Sequence, residues 1–172
     1  MTAAPEYLET LTAEAETPDG TAFARLRGTS DISVSFVPGY YAQTTEARLA
    51  DKLTQLGRLL WVARMREYYR LKSDLLNREV RGEGRPRNER QAARREARDS
   101  IVASGRSDDG RVELSAVGLL SWSATVAPGT VRQVSEEAFT AACAQAAERL
   151  VEDHLWQLKL VWASASTGRS LG

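Results

Sequence analysis

Short runs of alternating apolar and polar residues occur twice along the chain, and each leads into a long stretch with apolar residues at helical spacing. In the first, Ala22, Ala24 and Leu26 alternate with Thr21, Phe23 and Arg25, and Ile32, Val34 and Phe36 alternate with Ser33 and Ser35. A period of two puts each set on its own strand face, so the pattern predicts a β-hairpin closed by a loop of about three to four residues. Pro38-Gly39 ends the second strand, and Thr44 or Thr45 followed by Glu46 makes a helix N-cap with an acid in the first turn. Leu49, Leu53, Leu56, Leu60 and Ala63 then form the stripe of a helix with one buried face, which Leu59, Val62 and Tyr69 widen. The helix is expected to run past Leu71 towards Arg78 and to break in Arg81-Gly82-Glu83-Gly84-Arg85-Pro86, since glycine and proline are strong helix breakers.

A segment from Arg87 to Ser100 has helical composition but is polar nearly all round, so it should lie exposed or lean on a neighbour. Ile101-Val102-Ala103 reads as a short strand, and Gly105 to Gly110 as a turn. A second hairpin follows. Val112, Leu114 and Ala116 alternate with Glu113 and Ser115, and Trp122, Ala124 and Val126 with Ser123 and Thr125. Ser135, Glu136 and Glu137 open the last helix, whose inner residues are expected to include Phe139, Cys143, Ala146, Leu150, Leu155, Leu158 and Trp162. At the ends, Tyr7, Leu8 and Leu11 suit an amphipathic turn, Leu11 to Glu16 a weak strand, and Ser164 to Gly172 a frayed tail.

The two patterns are one pattern repeated. Gly20, Gly28, Pro38, Gly39, Gln43, Glu46, Gln55 and Leu60 reappear ninety positions on as Gly110, Gly118, Pro128, Gly129, Gln133, Glu136, Gln145 and Leu150. A two-stranded hairpin is marginal in water, so the copies are expected to join in one sheet or two facing ones beneath the long helices. The expected class is α+β: two copies, each a hairpin or three-stranded antiparallel sheet followed by a long helix, joined as an intramolecular pseudo-dimer. The expected divisions are an N-terminal segment 1–18, a first copy 19–80, a flexible break 81–86, a second copy 87–163 and the tail 164–172.

Composition narrows the function without naming it. With 23 Lys and Arg against 23 Asp and Glu, net charge is zero, so any nucleic-acid contact must rest on local clustering. A single cysteine excludes an intramolecular disulfide or a cysteine metal site. No apolar run approaches the roughly 20 residues of a membrane span, and Met-Thr-Ala-Ala-Pro-Glu-Tyr lacks the form of a secretory signal. A cytoplasmic location, at the nucleoid if DNA is bound, is therefore expected, with no membrane association.

The elements Ile101 to Ser104, Val112-Glu113-Leu114-Ser115-Ala116-Val117-Gly118, Ala124-Thr125-Val126-Ala127-Pro128 and Ser135 to Lys159, preceded by a charged helix, resemble the YbaB/EbfC nucleoid-associated family. The family's usual acid before the proline is Ala127 here, and Leu119, Leu120 and Trp122 replace part of its polar hairpin face. Ala22 to Leu71, with Ile32-Ser33-Val34-Ser35 and Leu49-Ala50-Asp51-Lys52-Leu53, is similar to the type VII secretion-associated Esp proteins, relatives of that fold. The first resemblance implies DNA binding by a dimer, here within one chain. The second implies a protein-binding adaptor or chaperone.

Candidate chemistry is sparse. From Arg78 to Arg98 there are eight arginines and four glutamates. Arg87, Arg90, Arg94 and Arg98 share one helical stripe, with Arg95 beside it, and guanidinium forks can contact duplex phosphates with little sequence preference. A solvated helix with Arg85–Glu89 and Glu83–Arg87 pairs fits the same residues. His154, the only histidine, has no accompanying nucleophile or ligand set, and Cys143 lies on an apolar stripe. Arg81 to Arg85 lacks the strand and the Gly-Lys-Ser/Thr ending of a phosphate loop. Trp61, Met65, Tyr68 and Tyr69, and Trp156 and Trp162, suit either core packing or a protein interface. No enzyme, cofactor or metal is expected. The expected partner is double-stranded DNA, with a protein partner as the alternative.

Overall fold

The computed structural model describes residues 6–167. The first half builds α1 (Glu6–Glu9), β1 (Thr12–Glu16), β2 (Ala22–Arg27), β3 (Asp31–Phe36), α2 (Tyr40–Gln43) and α3 (Glu46–Leu76). The second builds α4 (Glu89–Asp99), β4 (Val102–Arg106), β5 (Val112–Val117), β6 (Ser121–Val126), α5 (Thr130–Gln133) and α6 (Glu136–Thr167). Strand for strand, β1 to β3 recur as β4 to β6 ninety positions on. The tail expected to fray lies outside the described residues from 168 onward.

The class is α+β, with two separate three-stranded antiparallel sheets in the orders β1-β2-β3 and β4-β5-β6. The hairpins therefore do not merge into one sheet. Each instead gains a third strand from the chain just before it. The weak strand from Leu11 is a full ladder partner, pairing Ala13 with Leu26 and Ala15 with Ala24. The expected strand 101–103 and turn from Gly105 give way to a strand reaching Arg106, with Gly105 opposite Leu114. Glycine gives no hydrophobic signal and is a poor strand former, yet here it is the inward-facing position that meets α6.

Both β1–β2 and β4–β5 turns are closed by the same side-chain circuit. Asp19 Oδ1 accepts from Thr17 Oγ1 at 2.8 Å and from Thr21 N at 3.1 Å, while Asp109 Oδ1 accepts from Ser107 Oγ at 2.6 Å and from Arg111 N at 3.0 Å. The buried Thr17 and Ser107 hydroxyls accept in turn from Ala22 N and Val112 N, each at 3.1 Å. Hydroxyl and carboxylate thus tie the turn to its strand and leave none of these polar atoms unsatisfied.

The long helices cross between halves. α3 packs on β1 and β2 and on β6 of the other sheet, and α6 packs on β4 and β5 and on β3. Ala22, Ala24 and Leu26 meet Leu49, Leu53, Leu56 and Leu60, and Val112, Leu114 and Ala116 meet Phe139, Cys143, Ala146 and Leu150, in one continuous core. Burying a leucine such as Leu49 or Leu150 contributes about 1.5–3 kcal/mol. At the junction Phe139 of α6 stacks on Phe36 (centroids 6.1 Å) and tilts against Tyr41 (5.4 Å). Tyr41 Oη donates to Val134 O at 2.9 Å, and Val131 N donates to Glu46 Oε1 at 3.2 Å.

Helix starts follow the caps. Thr45 Oγ1 accepts from Arg48 N, and Ser135 Oγ from Ala138 N. α3 stops at Asn77 in the left-handed region, short of Arg78. Its inner stripe is narrower than expected, because Leu59 and Val62 stay exposed. On α6 the stripe passes from Leu150 to His154 and leaves Leu155 and Trp162 exposed. The polar helix α4 buries no residue and leans on α6.

Candidate functional site

α4 begins at Asn88, whose Oδ1 accepts from Gln91 N at 2.9 Å. The arginines in α4 and just before it divide between two environments. Arg87 and Arg90 are exposed, whereas Arg94, Arg95 and Arg98 turn towards the protein and are partly covered. Arg95 and Arg98 share one partner, Glu83, which sequence spacing paired with Arg87. Arg95 Nε lies 3.1 Å from Glu83 Oε2, and Arg95 Nη1 donates to Gly84 O at 2.8 Å. Arg98 grips the same carboxylate with both Nη atoms, Nη2 to Oε2 at 3.0 Å, and reaches Asp99 Oδ1 at 3.1 Å. The Arg98 hydrogen bond holds the Glu83 carboxyl below its usual value. The Gly82-Glu83-Gly84 stretch is thus pinned to α4, and nothing in local spacing announces it.

Arg94 behaves differently. Its guanidinium lies over Trp162 of α6, 5.3 Å from the ring centre. Its Nε is shut off from solvent with no hydrogen-bond partner. Arg85, Arg87, Arg94, Arg95, Arg98 and Glu83 line one pocket of about 370 Å³, with Gln91 and Trp162. Arg90 does not line it.

Glu83, Arg95 and Arg98 also line a second, larger space. This is a predominantly apolar cleft of about 1200 Å³ between α3 and α6. Trp61, Met65, Tyr68 and Tyr69 come to it from α3, Val151, Leu155 and Leu158 from α6, and Leu119 and Trp122 from the second hairpin. The aromatic residues of α3 therefore border open space as well as core. Leu119 is a buried leucine with φ of 60°, a conformation that strains any residue with a Cβ. Its carbonyl accepts from Trp122 Nε1 at 2.8 Å, so the turn and the indole fix each other.

One cation on this lining stands out. Arg64 is largely covered, lies 5.5 Å from the centre of the Trp61 ring, and has no ion-pair partner among the described residues. Burial pulls its pKa below the usual value. Arg66 lines the cleft too and is exposed.

His154 is buried, its Nδ1 without a partner, and desolvation lowers its pKa. Cys143 is buried in the core, which pushes its thiol pKa far up and makes it a poor nucleophile. Among the described residues no three His, Cys, Asp or Glu side chains come together as a metal site, and no helix is long and apolar enough to cross a membrane. Compared with family models, with curated proteins and with solved structures, the chain finds no match.

Proposed function

We propose that the protein is a non-enzymatic, protein-binding adaptor built as an intramolecular pseudo-dimer, whose cleft between α3 and α6 receives an amphipathic helix of a partner. The cleft carries this reading. At about 1200 Å³ it exceeds the roughly 300–1,000 Å³ of small-molecule pockets and suits a helix laid in a groove. Tryptophan and tyrosine dominate interface energetics, and methionine adapts to its partner. Arg64 and Arg66, without acidic partners among the described residues, call for acids flanking the apolar face of the incoming helix. The reciprocal crossing of α3 and α6 between sheets supports the pseudo-dimer. The likeness of the first half to type VII secretion-associated Esp proteins supports the adaptor role.

The test uses a designed peptide with leucines at helical spacing flanked by glutamates, and a scrambled peptide of the same composition. The patterned peptide should bind and the scrambled one should not. Val62→Glu with Leu155→Glu, both exposed cleft residues, should abolish binding without changing the far-ultraviolet circular dichroism. Equal binding of both peptides, or of neither, would remove the reading.

A second reading, duplex DNA, rests on Arg87 and Arg90, which stay exposed just before and within α4, and on the likeness of the second half to YbaB/EbfC proteins. It calls for retardation of arbitrary duplex that weakens steeply with salt and is lost when Arg87, Arg90, Arg94, Arg95 and Arg98 become glutamine. No retardation at low ionic strength would dismiss it.

A further inference from the structure

We propose that the arginine-lined pocket between α4 and α6 is a binding site for a small phosphate-bearing ligand, one that presents a diphosphate group. The pocket adjoins the cleft, sharing Glu83, Arg95 and Arg98 with it, and the proposal does not rest on what fills the cleft. Six charged side chains line it, Arg85, Arg87, Arg94, Arg95, Arg98 and Glu83, so five cations meet one anion in about 370 Å³. Glu83 answers Arg95 and Arg98. Arg85, Arg87 and Arg94 have no ion-pair partner among the described residues. Like charges held this close repel, and a multiply charged anion relieves what a single carboxylate cannot.

The donors suit phosphate in particular. Guanidinium forks match phosphate oxygens two at a time, and a diphosphate offers enough oxygens for several forks at once. Arg94 supplies the sharpest mark. Its Nε is buried with no acceptor, a cost that a small shift of the side chain towards a ligand oxygen would relieve. Trp162 holds that guanidinium in place from below, so the fork is already oriented.

The geometry favours a small molecule over a duplex. Arg90, exposed like Arg87 and in the first turn of α4, stands outside the pocket. The volume falls within the range of small-ligand pockets. Gln91 N is taken by the Asn88 side chain and Arg87 N by the Gln91 side chain, so neither amide is open to a ligand. Recognition rests on the side chains.

The test titrates the full chain with inorganic pyrophosphate, with orthophosphate and with a short duplex, by calorimetry and by tryptophan fluorescence at fixed ionic strength. Pyrophosphate should bind saturably at a single site, at least about tenfold tighter than orthophosphate, with a fluorescence change that Trp162→Phe removes. Arg94→Gln and Arg87→Gln should each weaken binding by roughly tenfold or more, Arg90→Gln should leave it unchanged, and Glu83→Gln should tighten it by removing the competing carboxylate. Arg87 is exposed, so its variant tests the site even where Arg94→Gln disturbs folding. Absence of saturable pyrophosphate binding would overturn the proposal. So would equal losses in Arg90→Gln and Arg87→Gln, or binding of duplex alone.

Discussion

Gly57 of α3 lies so close to Trp122 of β6 that a methyl group on its Cα would fall 2.6 Å from Cδ2 and Cε3 of the indole. Ninety positions away, the corresponding residues are Ala147 on α6 and Ile32 on β3, elements that also pack together. The larger strand residue faces the smaller helix residue. Glycine inside a helix is about 0.5–1 kcal/mol worse than alanine, and the indole accounts for its presence here. Gly57→Ala should therefore destabilise the protein by roughly 1–3 kcal/mol through overpacking. In a Trp122→Ile background the same change should stabilise by roughly 0.5–1 kcal/mol, because only the propensity gain remains. Urea unfolding of the four proteins measures this coupling, and the same sign in both backgrounds would contradict it.

Gly105 presents a harder case. A Cβ there would lie 2.5 Å from Leu150 N and closer still to the carbonyl oxygen of Ala146. Both are backbone atoms of α6, which cannot step aside as a flexible side chain can. Gly105→Ala should cost at least about 3 kcal/mol, at the severe end of single substitutions. Ala15→Gly, at the matching position of β1, should cost only about 1 kcal/mol. A chemical denaturation midpoint for each is sufficient, and equal costs would refute the difference.

The adjacent tyrosines Tyr40 and Tyr41 should respond oppositely to loss of the hydroxyl. Tyr41 Oη donates to the carbonyls of Val134 and Thr130 and ties the halves together. Tyr41→Phe should cost roughly 1–2 kcal/mol. The Tyr40 hydroxyl is buried with no partner, so Tyr40→Phe should be neutral or stabilising. Thermal unfolding of the two variants separates these outcomes.

Stability should depend on His154 at mildly acidic pH. Burial holds its imidazole below the ordinary value of 6.5, an effect that Arg98 reinforces and Asp153 opposes. In the window below 6.5 the unfolded chain binds the proton more readily, so stability rises with pH there. The contribution is full above 6.5 and is lost as pH falls towards the folded pKa. Unfolding midpoints at pH of about 5 and about 8 should differ, and His154→Met should shrink that difference. An undiminished difference in the variant would place the effect elsewhere.

The hairpins and long helices were legible because their signals are periodic. Ala22-Ala24-Leu26 and Val112-Leu114-Ala116 face inward as alternation requires, and Leu49, Leu53, Leu56 and Leu60 are buried as their spacing requires. β1 and β4 were weak or misplaced because Ala13, Ala15, Ala103 and Gly105 are small, so their burial depends on how closely a helix approaches. Leu59, Val62 and Leu155 look like core residues in one dimension but are exposed, Val62 and Leu155 along the cleft.

Local order, then, was written in the sequence: the ninety-residue repeat, the strands' inward faces, the caps at Thr45 and Ser135, and a polar α4 with four arginines. Side-chain periodicity and capping act over a few residues, so one chain suffices to read them. Tertiary structure decided the rest. It sent each helix across to the other sheet, set Gly57 against Trp122, and opened the cleft between α3 and α6. It also joined Glu83 to Arg95 and Arg98 and left Arg94 waiting over Trp162. These are meetings of residues distant in the chain, where close packing and the pairing of charges choose among arrangements that local sequence leaves equal.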